Sequence, residues 1–381
     1  MSNEHVMDFA LNDEQTAIVE LARRILTDRC TLEHLKEVEA GVEWFDRDTW
    51  AELAKSGLLG IALPESVGGG GFGYLEAALL LEEVGRTVAP IPLWATLTAA
   101  LTIAEFGTDA QQQQWLPGVA DGGTVLTVAL SELDADARVP QATATPAGDG
   151  WTITGVKTTV PAAHVAAAVL VPARTPDGTR LFIVPADAAG VTAERQDTFN
   201  HEPQFHVVLD GVAVGADAAL PVHADQVGWL VDRATVGLCA LASGVGEVGM
   251  RITAGYVAER KQFGKALGTF QAVCHRMADC YVDAAAIRLS FLQAATQLAD
   301  ASADDAVDPK IIAVAKYWAS YSGSRIGHAD LHLHGGISID LDYAIHRYFL
   351  WSKQLEYTLG AATPQLARLG RFLADEPVGA A

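Results

Sequence analysis

Hydrophobic positions change their spacing twice along this chain. Near the start they recur at helical intervals: Ala17, Ile18, Leu21, Ala22, Ile25 and Leu26 fall on one face. Asn12 and Gln15 precede them as a capping-box pair. The same spacing predicts helices at Asp48–Ser56, Gly73–Val88 and Leu93–Phe106. The pattern then shifts to short alternating runs such as Trp151-Thr152-Ile153-Thr154, after a Gly148-Asp149-Gly150 turn. Pro176-Asp177-Gly178 separates Ala166–Val171 from Leu181–Val184, a hairpin signal, and Asp210-Gly211 predicts a further turn after Phe205–Leu209. Eight of the fifteen prolines fall from Pro140 to Pro221, and none from Val222 to Asp308. A Pro-free stretch rich in Ala, Leu and Arg suits long helices, because an interior Pro removes a hydrogen bond and clashes. Helices, then strands, then helices predict an α+β chain with segregated segments and no βαβ alternation. The expected divisions are a helical domain at 1–121, a β domain at 122–222 and a helical bundle at 223–381.

Composition narrows the functions. At 381 residues the chain can bury a large core in two or three domains. A formal charge of -21 leaves no basic stripe for nucleic acid and no Lys/Arg cluster for a membrane surface, so neither is an expected partner. The polar start Met1-Ser2-Asn3-Glu4-His5 shows no secretory signal. The longest apolar stretch, Val236 to Met250, falls short of the roughly 18 residues a bilayer needs. Cys30, Cys239, Cys274 and Cys280 have no metal or redox spacing, which predicts reduced thiols and a cytoplasmic location. Gly68-Gly69-Gly70-Gly71 is a loop without the Gly-Lys-Ser/Thr ending of a P-loop. His328, His332 and His334 fall at i, i+4 and i+6, so only the first two share a helical face and no metal site is expected. Cys274, His275 and Cys280 lie on an apolar helix and read as buried structure, not as a nucleophile.

Several motifs stand out together. They are Gly57-Leu58-Leu59-Gly60-Ile61-Ala62-Leu63-Pro64-Glu65, Glu82-Glu83-Val84-Gly85-Arg86 and Gln114-Trp115-Leu116-Pro117. Further on come Arg260-Lys261-Gln262-Phe263-Gly264 with Phe270-Gln271, and His334-Gly335-Gly336. On these, nearly the whole chain resembles the acyl-CoA dehydrogenases. The resemblance implies a helical domain, a β-barrel-like domain and a helical bundle, assembled as a dimer of dimers, with FAD as cofactor and an acyl-CoA as substrate. It assigns FAD contact to Arg260, Gln262, Phe263, Phe270, Gln271, His332, Gly335 and Gly336, reaching across an interface to the neighbour's flavin. The chemistry agrees: Arg260 offers a fork of donors to a pyrophosphate, and the two Phe rings can pack on flat cofactor rings. Taken singly, Arg260 is equally a solvated helix-end charge and Phe263 plain core.

The other half of that family's site departs from the pattern. The usual base is a Glu near the C-terminus, where Leu359 stands here; a smaller group carries it where Ala234 stands. Neither side chain can accept the α-proton whose removal begins the reaction. Glu356 and Asp232 lie nearby and are the weak substitutes. The family's Thr-Glu-Pro-Gly-Ala-Gly-Ser-Asp becomes Ser131-Glu132-Leu133-Asp134-Ala135-Asp136-Ala137-Arg138, and its Trp-Ile-Thr-Asn becomes Thr159-Val160-Pro161-Ala162. Flavin-ring contacts are lost and acids are added. This split resembles the non-catalytic chains of α2β2 acyl-CoA dehydrogenases of actinobacterial steroid side-chain degradation, which implies a second dehydrogenase-like subunit as partner. The expected function is therefore a subunit that completes a partner's FAD site for α,β-desaturation of a CoA thioester. The rivals are a homomeric dehydrogenase with a relocated acid, a flavin monooxygenase of the same fold, and a structural partner without cofactor contact.

Overall fold

The computed structural model describes residues 9–302, 305 and 307–374; the polar start Met1–His5 lies outside them. The first helices are α1 (Asp13–Arg29), α2 (Leu32–Ala40), α3 (Arg47–Lys55), α4 (Tyr74–Thr87), α5 (Leu93–Phe106) and α6 (Asp109–Ala120). Asn12 and Gln15 form the expected reciprocal cap on α1. The strands are β1 (Leu126–Val128), β2 (Thr143–Ala147), β3 (Gly150–Pro161), β4 (Ala168–Thr175), β5 (Gly178–Pro185), β6 (Val191–Gln196) and β7 (Gln204–Val214). They make one mixed sheet in the order β1-β4-β2-β3-β7-β6, with β5 paired to β4.

The β4–β5 hairpin closes with Thr175 opposite Gly178, as the Pro-Asp-Gly signal predicts. Asp210-Gly211 is not a turn. β7 runs through it, and the register with β3 jumps from Gly155↔Leu209 to Ile153↔Val212, so the pair forms a β-bulge. The strand carries on because Val212 is fully buried beyond the bulge.

The remaining helices are α7 (Gln226–Glu259), α8 (Gln271–Asp300), α9 (Pro309–His334), α10 (Ile345–Tyr357) and α11 (Ala362–Ala374). A two-residue pairing, β8 (Lys261–Gln262) with β9 (Lys265–Ala266), separates α7 from α8. At 34 residues α7 is long and apolar enough to cross a bilayer, contrary to the shorter expectation, but 72% of its apolar window is buried inside the molecule. It is a core helix. The small-residue run on it sets a close crossing with α4. A Cβ on Gly244 would lie 2.1 Å from the Glu82 carbonyl oxygen, and one on Gly85 2.1 Å from that of Leu241. One apolar cluster joins α1–α4 to the bundle, a second joins α5 and α6 to the sheet and the start of α7, and a third lies within the sheet.

Candidate active site and cofactor face

α7 buries Ala234 completely, and its backbone carbonyl accepts the Trp94 indole N–H at 2.9 Å. Leu359 follows the end of α10 at φ 56, with Gly360 beside it at φ 96. Both base positions pack into the same apolar cluster. On the other side of Trp94, which donates to Ala234, lies a cavity of about 30 Å³, bordered also by Leu238, Trp351, Leu355, Thr358 and Glu202. That is room for about one water and no acyl chain.

The two weak substitutes do not face this cavity. Asp232 is ion-paired to Arg138, whose other nitrogen reaches the Gly228 carbonyl at 3.4 Å. Burial raises the Asp232 carboxyl and Arg138 opposes that shift. Glu356 is ion-paired to Lys353 at 2.5 Å. The acid that does border the cavity is Glu202, just before β7, and sequence reasoning missed it. Desolvation pushes its carboxyl up to about 7, against a 3.1 Å hydrogen bond from the Gln204 amide. A Glu-Pro pair at a strand entrance carries no signal of this. Below α10, fully buried Lys316 donates to the Leu355 carbonyl at 2.6 Å and to Ser320 Oγ at 3.1 Å. Its ammonium thus caps the helix end that leads into Leu359, and burial lowers its pKa to about 8.

The segment from Ser131 to Arg138 is bound to its own chain. Glu132 receives Lys157 Nζ at 2.6 Å and the Ala142 N–H at 3.0 Å. Lys157 is fully buried and also donates to the Pro172 carbonyl at 2.9 Å. Burial alone would raise the Glu132 carboxyl; the lysine beside it more than offsets this and holds it low. Asp134 and Asp136 stay exposed at the edge. An anionic cofactor does not fit here. Its place next to the sheet holds a carboxylate already paired, with two more at the rim.

The other half of the expected site is built differently. α7 ends and delivers Arg260 into the β8–β9 hairpin, whose tip is Phe263 at φ 52 and Gly264 at φ 80. Left-handed backbone at both central residues is the turn that two-residue hairpins favour; glycine takes it freely, Phe263 at a strain cost. Phe263 is 92% exposed and meets Phe270 edge to face at 6.1 Å. Arg260, Gln262 and Gln271 are exposed, and their side chains have no hydrogen-bond or ionic partner among the described residues. His334 is buried, stacks on Tyr256 of α7 at 4.4 Å, and so brings Gly335-Gly336 near the end of that helix. A Cβ on either glycine would meet nothing within 4 Å, so any close approach there comes from outside this chain; Gly335 still needs glycine for its φ of 65. His332 is exposed. Cys280 is buried as expected, whereas Cys274 is exposed, one turn into α8 on its outer face. Among the described residues no cluster of His, Cys, Asp or Glu could hold a metal ion.

A paired helical face and sheet, a closed base position and an open flavin-motif hairpin define the class. Residues 12–123 match the acyl-CoA dehydrogenase N-terminal domain and residues 226–374 the acyl-CoA dehydrogenase C-terminal domain. The chain belongs to the acyl-CoA dehydrogenase family, FAD-dependent oxidoreductases acting on the CH–CH group of acyl-CoA. It is 38% identical over 377 residues to the acyl-CoA dehydrogenase FadE27 of Mycobacterium tuberculosis, covering 97% of this chain and 100% of that one. Among solved structures it is similar to a variant of the Tcur3481–Tcur3483 steroid acyl-CoA dehydrogenase, at 47% identity and TM-score 0.90, over 95% of this chain and 98% of that one. It is also similar to the ChsE4–ChsE5 complex from Mycobacterium tuberculosis, at 37% identity and TM-score 0.92, over 98% of this chain and 100% of that one.

Proposed function

We propose that this chain is the non-catalytic subunit of an α2β2 acyl-CoA dehydrogenase and lends its hairpin face to FAD held mainly by a partner. FAD, when bound, supplies the hydride acceptor. Arg260 would meet its pyrophosphate, Phe263 and Phe270 would cover its rings, and Gln262, Gln271 and His332 would meet polar edges. Gly335 and Gly336 would leave room for it. The partner would supply the base and the acyl-CoA pocket. The observation that carries this is that Ala234, fully buried, and Leu359, packed against the same apolar cluster, offer no group that can accept a proton. The similarity to two heteromeric assemblies supports it, and a steroid side-chain thioester is the proposed substrate. Four free cysteines fit a cytoplasmic location.

The test is expression alone and together with a dehydrogenase-like chain carrying a Glu at either base position. Flavin content and acyl-CoA turnover should appear only in the pair; a lone homo-oligomer with full flavin and turnover would sink the proposal. A second reading is a homomeric enzyme using Glu202, favoured by that carboxyl's pKa of about 7. Glu202→Gln decides it, since a true base would lose several orders of magnitude in rate.

A further inference from the structure

Arg233 is a buried arginine that makes a single side-chain hydrogen bond among the described residues. It is 6% exposed, on α7, one residue before Ala234. Its sole side-chain hydrogen bond among them runs from Nη2 to the Leu298 carbonyl at 2.9 Å. The guanidinium lies over the Trp229 ring at 3.5 Å and near the Tyr74 ring at 5.7 Å. Among the described residues no carboxylate is ion-paired with it: adjacent Asp232 is committed to Arg138, and Glu105, exposed on α5, acts on it only across the same cavity. Arg233 borders open space, and its guanidinium has donors left over there that a ligand from outside the chain can use.

The place for such a ligand exists. Arg233 borders a cavity of about 320 Å³ between the segment before α4, α5 and the end of α8. Leu63, Phe72, Leu101 and Leu298 line it, and Trp229 completes the wall beside the guanidinium. The lining sets these apolar side chains beside the Arg233 guanidinium and the Glu105 carboxylate, a mixed make-up that can orient a small molecule. A second cavity of similar size also touches Arg233, but Asp225, Asp232 and Asp305 border it and would repel an anion.

We propose that the first cavity binds an amphipathic monocarboxylate, its carboxylate on Arg233 and its apolar body along Leu63, Phe72, Leu101 and Leu298. The planar fork suits a carboxylate or a phosphate. The apolar walls, Glu105 at the rim and the net charge of -21 favour the singly charged group. The site stands apart from the closed base positions, so it does not depend on the subunit's catalytic standing.

The test is calorimetry on the full chain with its partner, using 4-phenylbutyrate, 4-phenylbutan-1-ol and inorganic phosphate as probes. The acid should bind, the alcohol at least about tenfold more weakly, since the charge-assisted bonds are lost. Arg233→Leu should weaken the acid by about tenfold or more. It should melt no lower than the parent without ligand, because an unpaired buried charge is gone. Ala104→Phe, which fills the cavity and keeps the guanidinium, should also abolish binding, and it decides the matter if the Arg233 variant fails to fold. Equal binding of acid and alcohol, or undiminished binding in both variants, would overturn the site. Phosphate binding more tightly than the acid would overturn the carboxylate assignment.

Discussion

The closed end of this molecule and its open end were built from the same family template and have diverged in opposite ways. Around Ala234 and Leu359 several polar groups have partners inside the chain: the Trp94 indole N–H donates to the Ala234 carbonyl, Arg138 pairs with Asp232, and Lys157 pairs with Glu132. Around Arg260 the reverse holds, with an exposed cation, two exposed amides and an aromatic ring at 92% exposure. Satisfied groups hold a fold together; unsatisfied ones at a strained turn wait for something else. Under the proposed function, the contrast teaches that a subunit can close its own base positions and still offer a cofactor face.

The largest expected effect breaks the closed end. Lys157→Met strands Glu132 in the interior and should destabilise the chain by about 3–5 kcal/mol in denaturant titrations, whereas adding Glu132→Leu should recover most of it. Next is the open end. Arg260→Ala should leave the stability of the lone chain unchanged and weaken FAD retention in the complex about 10–100-fold, matching the loss of about 1.5–3 kcal/mol for charge-assisted bonds. Unchanged retention would make this chain a structural partner only. A smaller effect is read through pH. The Glu202 carboxyl is raised in the folded state to about 7, so the native chain binds a proton that the unfolded chain has already lost above pH of about 4.3. That stabilisation is complete below the unfolded value and fades as pH rises through about 7. It should amount to about 1–2 kcal/mol after allowance for partial exposure, and Glu202→Gln should flatten it. The smallest effect is the sharpest for function. Asp232→Asn and Glu356→Gln should leave turnover of the complex within about threefold of the parent, because a base would cost orders of magnitude. Substrate-dependent oxygen uptake by the complex would instead favour the monooxygenase rival.

The helices were legible because periodicity and caps act locally: α5 has the bounds its apolar spacing predicts, and the cap on α1 is in place. Asp210-Gly211 misled because the dipeptide suits a bulge as well as a turn, and only the pairing partner β3 decides which. That no carboxylate stands at Ala234 or Leu359 could be read from residue types. Their closure could not, since Trp94 comes from a helix far away in sequence. Glu202, Lys157 and Arg233 were equally hidden. Burial of a charge is set by tertiary packing, and one sequence gives no sign of which Lys or Glu will be surrounded.

The hairpin tip has a consequence for supply. A bare phenylalanine ring at a strained turn is an adhesive surface until it is capped. Under the proposed function, copies made in excess of the partner subunit would leave this surface bare and stick to one another, so the amount of this polypeptide should track that of its partner.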